Sequence, residues 1–164
     1  MVEVTKNERD KIILQCLFYL GVRNNEMKNL TVEELDLTNR QIKLHGKGKK
    51  DRIVPIPKVF IQDLTKWVGK KDRGWLISGN SDGRISNTHI RRIIKNAARF
   101  AGLRKWWEIH PHTLRHGYAT YLRNKNVSLE EIQELLGHER LETTRIYAHL
   151  AKDKLKKAVD QAFG

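Results

Sequence analysis

The chain has 164 residues, a length that suits one domain over residues 1–164, and its 32 Lys and Arg against 19 Asp and Glu leave a formal net charge of +13. This excess of positive charge favours a polyanionic partner, with an inert basic surface as the alternative. A single cysteine excludes an internal disulfide, and the longest apolar stretch, near residues 12 to 20, is too short to cross a membrane, so we expect a soluble, cytoplasmic protein.

The first segment of the chain predicts two helices joined by a tight turn. Thr5 and Glu8 have the spacing of a capping box, and apolar residues at helical intervals extend the helix over about residues 6 to 20, where Gly21 ends it. A second, short helix follows. Arg23 lies between the two helices, and we expect both of them to fix its position.

The second segment changes to the pattern of a β-hairpin. Ile42 and Leu44 precede a basic tip that contains glycine, and Ile53 and Ile56 follow it. These four residues mark two short antiparallel strands, with lysines at the end of the hairpin.

The rest of the chain is predicted to be helical. Helical periodicity covers about residues 58 to 68, 87 to 101 and 112 to 124, and Ser128 with Glu131 forms a capping box for a helix that Gly137 ends. A last, amphipathic tail helix is marked by apolar residues at helical spacing, namely Leu155, Ala158, Val159, Ala162 and Phe163. The expected fold class is mainly α with a small antiparallel β-sheet (α+β).

The segment HPHTLRH, residues 110 to 116, is rich in histidine. His112 and His116 are one helical turn apart, as in helix-borne zinc sites, but the sequence lacks a His-Glu-x-x-His motif and an obvious third ligand. A metal site is therefore disfavoured, while a purely structural histidine cluster remains an alternative.

The C-terminal third of the chain carries three short motifs in sequence. His112 and Arg115 form His-x-x-Arg, His138 ends Leu-Gly-His, and Tyr147 follows in IYAHL. In order and spacing these motifs resemble the signature of the tyrosine recombinase (phage integrase) family. The resemblance implies that Tyr147 is a nucleophile and that the other three residues act on the same phosphate.

Two further motifs upstream extend this resemblance. GVRNNE resembles the Gly-x-Arg-x-x-Glu motif of the family, which implies that Arg23 belongs to the site, and GKG in the hairpin resembles the turn that bears a catalytic lysine. Lys47 is the residue that the resemblance assigns, with Lys49 and Lys50 as competitors. The family resemblance thus covers nearly the whole chain, and it implies the catalytic-domain fold of this family.

The implied reaction is transesterification of a DNA phosphodiester through a 3′-phosphotyrosyl intermediate, without metal, cofactor or ATP. The implied catalytic set is Arg23, Lys47, His112, Arg115, His138 and Tyr147. Arginine forks match phosphate oxygens, a histidine near neutrality suits a general base, and a lysine on a flexible stem can hand a proton to the leaving oxygen. His138 would add another hydrogen bond to the phosphate.

Each assignment has a simpler alternative. The hairpin lysines could be a solvated basic turn, Tyr147 a core aromatic residue, and the two arginines a helix-end charge and a phosphate anchor. Trp106 and Trp107 could stack near DNA, although packing is the more common role for paired tryptophans. None of these alternatives explains why all the motifs occur together in this order.

The resemblance also implies partners for the chain. Relatives in the family carry an N-terminal DNA-binding domain to which nothing here corresponds, so we expect the chain to be a catalytic-domain fragment that binds double-stranded DNA mainly through phosphates, with salt-sensitive affinity. The tail helix is expected to dock on a neighbouring protomer, in a tetramer on DNA, or alternatively to fold back on its own domain.

Two other functions remain open at this level. A type IB topoisomerase uses similar residues to cut and reseal one strand, but the Leu-Gly-His motif and its distance to Tyr147 fit recombinases better. A DNA-binding regulator could keep the scaffold without catalysis, but such decay should have removed at least one residue of the set.

Overall fold

The computed structural model of the chain describes residues 1–46, 51–79, 83–137 and 148–164, with the side chains of residues 148 to 152 excepted. Within these ranges the α-helices are α1 (Glu8–Tyr19), α2 (Asn24–Asn29), α3 (Lys58–Val68), α4 (Asn87–Phe100), α5 (Pro111–Asn124), α6 (Leu129–Leu136) and α7 (Ala148–Phe163). Short 3₁₀ turns cover Val32–Glu34 and Trp106–Glu108, and the strands are β1 (Leu35–Asp36), β2 (Gln41–His45) and β3 (Asp51–Pro55). The fold is mainly α with a small antiparallel sheet, as predicted.

The strands form one sheet in the order β1-β2-β3, with antiparallel pairing throughout. Ile42 pairs with Val54 and Leu44 pairs with Arg52. Because side chains alternate across a strand, Arg52 shares the inward face of β3 with Val54. Ile53, which marked this strand in the sequence, is 39% exposed, and the fully buried Val54 faces the core instead.

The predicted helices form at nearly the expected positions, but the cap of α1 differs. Asn7, rather than Thr5, precedes the first turn, and its side chain accepts a hydrogen bond from the Asp10 backbone N–H at 3.1 Å. Thr5 instead donates its hydroxyl to the Met1 carbonyl at 2.8 Å. Asn and Thr are both good caps, so the choice between them depends on where the chain turns into the helix.

The short helix α6 is capped as the sequence predicted. The Ser128 backbone N–H donates to Glu131 Oε2 at 3.0 Å, and Ser128 Oγ accepts from the Glu131 N–H at 3.3 Å. Gly137 ends the helix in the left-handed conformation. These caps fix where α6 begins and ends, and its last carbonyls belong to the site described below.

The tail helix α7 packs on its own domain in this structure. Leu155, Val159 and Ala162 are buried in the core, and Phe163 stacks on Tyr121 with ring centroids 4.9 Å apart. Two ionic bonds add to this packing: Arg40 Nη1 and Nη2 donate to the Asp160 carboxylate at 2.8 and 3.0 Å. The second of the two predicted arrangements is therefore the one present here.

No helix in the described ranges is long and apolar enough to cross a membrane. The core is built instead from the inward faces of α1, α3, α4 and α5 together with the sheet, and α1 packs against both α3 and α5. This arrangement brings the end of α1, the start of α2 and the end of α6 to one place.

Candidate active site

Arg23 caps the start of α2 and is held by a residue of the same helix. Its backbone N–H donates to Glu26 Oε2 at 2.7 Å, and its guanidinium Nη1 donates to Glu26 Oε1 at 2.9 Å. The Arg23 side chain is 37% exposed. Arg23 is therefore oriented by Glu26 while part of its guanidinium stays accessible to a ligand.

Glu26 lies at the centre of the site, and its side chain is only 4% exposed. It also accepts two bonds from Arg52, from Nη1 to Oε1 at 2.7 Å and from Nη2 to Oε2 at 2.8 Å. Burial by itself raises the pKa of this carboxyl, but the hydrogen bonds and charges of Arg52 and Arg23 outweigh burial and lower the pKa to about 2. Glu26 is consequently an anion at neutral pH.

Arg115 joins two distant parts of the chain at this site. The residue is buried; its Nη1 donates to the Gly21 carbonyl, just after α1, and its Nη2 donates to the Leu136 carbonyl at the end of α6. A guanidinium carries five N–H donors, so three remain for other partners. The side chain therefore connects the first arginine motif with the Leu-Gly-His motif and keeps donors that suit a phosphate.

Two guanidinium groups thus bind one carboxylate, and the third, that of Arg115, lies near enough to feel their charges. We refer to Arg23, Arg52, Arg115 and Glu26 as the arginine cluster. Burial is the main reason why the pKa of Arg115 falls to about 10, and the charges of Arg23 and Arg52 contribute. Arg115 nevertheless stays protonated at pH 7. Since a single carboxylate cannot neutralise three cations, the cluster keeps a surplus of positive charge that favours an anion at its exposed edge.

Two glycines allow side chains of the site to pack directly against the backbone. Gly21 has φ +58°, and a Cβ built there would lie 2.6 Å from the ring of the fully buried Tyr118. Gly137 has φ +65°, and a Cβ there would lie 2.8 Å from Arg52 Cδ. Both positions therefore require glycine for the backbone conformation and for space.

His112 lies one turn before Arg115 on α5 and is exposed. It lines an open groove of about 380 Å³ together with Asn24, which directly follows Arg23, and with Arg91 and Lys95 of α4. The groove therefore combines one candidate base with two cations beside the arginine cluster. Within the described part of the chain no group of three or more His, Cys, Asp or Glu side chains could hold a metal ion.

Near the groove, His110 caps a helix and the paired tryptophans lie at or beside the groove wall. His110 caps α5: its Nδ1 accepts from the Thr113 N–H, and its own N–H donates to Thr113 Oγ1, both at 3.3 Å. Trp106 and Trp107 contact each other edge to face with centroids 5.8 Å apart. Trp107 is 55% exposed and lies on the wall of the groove, so it is not a core residue.

The hairpin strands that lead to the predicted catalytic lysine are held together at their ends. His45 Nδ1 lies 2.8 Å from Asp51 Oδ1, and its Nε2 lies 2.6 Å from Glu34 Oε1. The hydrogen bond to Asp51 is the main reason why the pKa of His45 is raised. An imidazolium between two carboxylates therefore stabilises this end of the hairpin below the ordinary histidine pKa, and the stabilisation is lost as the pH rises through the raised pKa.

Of the six predicted site residues, the structure brings together Arg23 and Arg115 in the arginine cluster, with His112 on the adjoining groove. Lys47, His138 and Tyr147 lie outside the described residues. Their roles, like those of the other three, stay predictions.

Arg52 is the residue of the site that the sequence analysis missed, and Glu26 entered it only as a letter in a motif. The signal for Arg52 was its alternation with Val54 and Ile56, both buried, which places an arginine on the inward face of a strand. A buried arginine needs hydrogen-bond acceptors, and a carboxylate among them also balances its charge. Which carboxylate it binds, 26 positions away in the chain, is a tertiary property.

Residues 1–154, which include the arginine cluster and all six predicted site residues, match the phage integrase family. The chain belongs to that family. Its fold is accordingly that of a tyrosine recombinase catalytic domain.

Individual relatives agree with this assignment. The tyrosine recombinase XerC of Thermodesulfovibrio yellowstonii is 39% identical over 166 residues, covering 94% of this chain and 54% of that protein. The XerH site-specific recombinase bound to its difH substrate, in the pre-cleavage complex, superposes with a TM-score of 0.72 at 29% identity over 96% of this chain and 49% of that one. The integrase of mycobacterium phage Brujita has the same fold, with a TM-score of 0.82 at 24% identity over 96% of this chain and 53% of that one. The chain therefore spans about half the length of these proteins.

Proposed function

We propose that this chain is the catalytic domain of a site-specific DNA recombinase, which cleaves and rejoins double-stranded DNA through a 3′-phosphotyrosyl intermediate. The observation that carries the proposal is the position of Arg115, which links the carbonyls of Gly21 and Leu136 and thereby joins the first arginine motif to the Leu-Gly-His motif around Glu26. A surplus of positive charge at a partly exposed arginine is what a scissile phosphate requires.

The nucleophile in this proposal is Tyr147. The three other tyrosines of the chain are poorly suited to the role. Tyr118 is fully buried, and burial raises its pKa; burial also raises the pKa of Tyr19. Tyr121 donates its hydroxyl to the Ala162 carbonyl at 2.8 Å. Tyr147 is the remaining tyrosine and the one that the family resemblance selects.

In the proposed reaction the Tyr147 oxygen attacks phosphorus and the bond from phosphorus to the 5′ oxygen breaks. Arg23 and Arg115 hold the non-bridging oxygens, with His138 as a further donor, and His112 accepts the tyrosine proton. Lys47 gives a proton to the departing 5′ oxygen. Since one phosphodiester replaces another, bond energy is retained and rejoining reverses the same steps.

The experiment that tests the proposal is capture of the covalent intermediate. The chain, in EDTA, is incubated with a nicked suicide duplex that prevents religation, and the products are separated under denaturing conditions. We expect a protein–DNA adduct in the wild type and none in Tyr147→Phe, because phenylalanine lacks the attacking oxygen.

Binding of the same duplex to both proteins, followed in a salt titration, is the control. Affinity should be similar in the two proteins and should fall steeply with salt, as expected for binding through phosphates. An adduct that persists in Tyr147→Phe, or absence of an adduct despite binding in a longer chain that carries a DNA-binding domain, would contradict the proposal.

We further propose a cytoplasmic location and, from the resemblance to the family, self-association on DNA in a tetramer through the tail helix. The structure has α7 folded back on its own domain, so exchange between protomers would need α7 to leave the pocket occupied by Phe163. The ring of Phe163 contacts Tyr19 and Tyr121, with centroids 5.1 and 4.9 Å away. An identical pocket on a neighbour could receive the same helix.

If α7 exchanges, Phe163→Ala should weaken assembly on DNA, since the ring would be lost from the pocket of the neighbour. We expect smaller complexes in sedimentation of the protein with DNA, while Lys157→Ala, an exposed position of the same helix, should assemble normally. Assembly unchanged in Phe163→Ala, with only a lower melting temperature, would show that α7 stays on its own domain.

A further inference from the structure

We infer that Arg52 is a positioning residue of the cleavage reaction, which orients Arg23 through Glu26 and fixes the end of α6 where the Leu-Gly-His motif begins. The inference rests on the proposed function, because it assigns a role within that reaction. It concerns a residue outside the six predicted ones, located on the hairpin and not on either of the elements that it orients.

Arg52 and Arg23 bind the same carboxylate, that of Glu26. Each oxygen of this carboxylate accepts two N–H groups: Oε1 accepts Nη1 of Arg52 and Nη1 of Arg23, and Oε2 accepts Nη2 of Arg52 and the Arg23 backbone N–H. A carboxylate offers about four acceptor sites, so these four bonds saturate it. Because the same two oxygens bind both arginines, a rotation of Glu26 would displace Arg23.

The second contact is with α6. Arg52 Nε donates to the Leu135 carbonyl at 3.0 Å, and Arg115 Nη2 donates to the carbonyl of the next residue, Leu136. The last carbonyls of a helix lack partners within the helix and carry partial negative charge. Two adjacent arginines bind them here, and this fixes the end of α6. Gly137, which follows, has no side chain and so leaves room for Arg52 Cδ.

Arg52 thereby connects three elements that carry different motifs. Its own strand β3 begins immediately after the hairpin tip, Glu26 lies in the first arginine motif, and Leu135 immediately precedes Leu-Gly-His. Only 9% of the Arg52 side chain is exposed. Arg52 therefore has little opportunity to bind DNA itself, and its influence on the reaction passes through these neighbours.

A lysine at this position would not reproduce the contacts. The guanidinium uses both Nη atoms in a planar fork toward Glu26 and Nε toward α6, whereas a lysine ammonium is a single point at the end of the stem. We expect Arg52→Lys to keep the charge and the fold but to lose the orientation. Arg52→Met also removes the charge and leaves Glu26 with Arg23 alone.

The experiment measures the single-turnover cleavage rate on the suicide duplex at saturating DNA for the wild type, Arg52→Lys and Arg52→Met. We expect a fall of about 10²-fold, the scale of a small misplacement of catalytic groups, with DNA affinity close to that of the wild type. Trp67→Phe is the matched control. It removes a hydrogen bond from Trp67 Nε1 to the Leu76 carbonyl, 2.9 Å long and remote from the cluster, and should lower the melting temperature without changing the rate.

A double-mutant cycle with Arg23→Lys separates positioning from general stability. If Arg52 acts through Glu26 and Arg23, Arg52→Lys should lower the cleavage rate far less in the Arg23→Lys protein than in the wild type. Equal costs in the two backgrounds, or a wild-type rate in a folded Arg52→Lys protein, would overturn the inference.

A readout that does not need activity keeps the two proposals distinct. The Arg23 backbone N–H should exchange with solvent faster in Arg52→Lys than in the wild type or Trp67→Phe, because its acceptor Glu26 is less fixed. Unchanged exchange would overturn the inference on Arg52 whether or not the protein cleaves DNA. Absence of a Tyr147-dependent adduct despite DNA binding, in a longer chain that carries a DNA-binding domain, would instead count against the proposed function alone.

Discussion

Replacing Glu26 with glutamine is expected to lower the free energy of unfolding at neutral pH by about 3 kcal/mol. The pKa of about 2 in the folded protein, against 4.5 for an ordinary glutamate, corresponds to about 3 kcal/mol of stabilisation of the ionised form. The same magnitude is typical when one partner is removed from a buried ion pair, since Arg52 and Arg23 would lose the carboxylate that they bind. Urea unfolding at pH 7 measures this difference.

The pH dependence of this difference identifies its origin. The pKa of Glu26 is lower in the folded state, so its contribution is fully present above about pH 4.5 and is lost as the pH falls towards about 2. The wild type should therefore approach the Glu26→Gln variant in stability over that range. Glu130→Gln, at an exposed position of α6, is the control and should differ little at any pH. A difference that stayed constant down to pH 2 would show that packing, and not charge, explains the loss.

The Arg115→Lys variant is expected to cleave the suicide duplex about 10²–10³-fold more slowly, the effect typical of losing a preorganised donor. Arg115 uses separate Nη atoms for the Gly21 and Leu136 carbonyls and has further N–H groups for the phosphate. A lysine cannot reach both carbonyls and the phosphate together, and a buried carbonyl left without a partner also costs about 1–3 kcal/mol of stability. The single-turnover rate measures the first effect and urea unfolding the second.

Affinity for DNA should change little in Arg115→Lys, because the formal charge of the chain is unaltered and phosphate attraction depends on total charge. Arg123→Lys, the same substitution at an exposed position of α5, is the matched control and should cleave at the wild-type rate. If Arg115→Lys cleaved normally, the two carbonyl bonds would be structural only and the proposed clamp on the phosphate would be wrong.

Features of the fold that depend on residues close together in the sequence were predicted correctly more often than features that depend on distant residues. The helix over 58 to 68 matches Lys58–Val68, and the Ser128 cap with the Gly137 stop holds for α6. Each depends on residues three or four positions apart, which act before any tertiary contact forms. The predicted capping role of Thr5 was wrong because Asn7, two positions later, has a higher intrinsic preference for a helix start.

The sequence predicted less well which side chains of β3 point into the core. Ile53 is apolar and β-branched, yet it lies on the outward face, and the inward face of β3 consists of Arg52 and Val54. Register with β2 decides this, and register depends on how the hairpin pairs rather than on any single residue. Alternation of Arg52 with Val54 and Ile56 was compatible with an inward arginine, but the apolar Ile53 favoured the opposite facing, so the orientation and the partner of Arg52 had to come from the structure.

The sequence by itself determined the helices, the cap of α6 and the family, because periodicity, capping residues and the order of short motifs are properties of neighbouring positions. It also singled out Arg23 and Arg115. Only the tertiary structure decided that Arg23 shares Glu26 with Arg52 and that Arg115, close to both, binds carbonyls of two separate elements. The physical reason is that a buried charge is stable only with a counter-charge and acceptors from elsewhere in the chain, and folding alone brings them within hydrogen-bond distance.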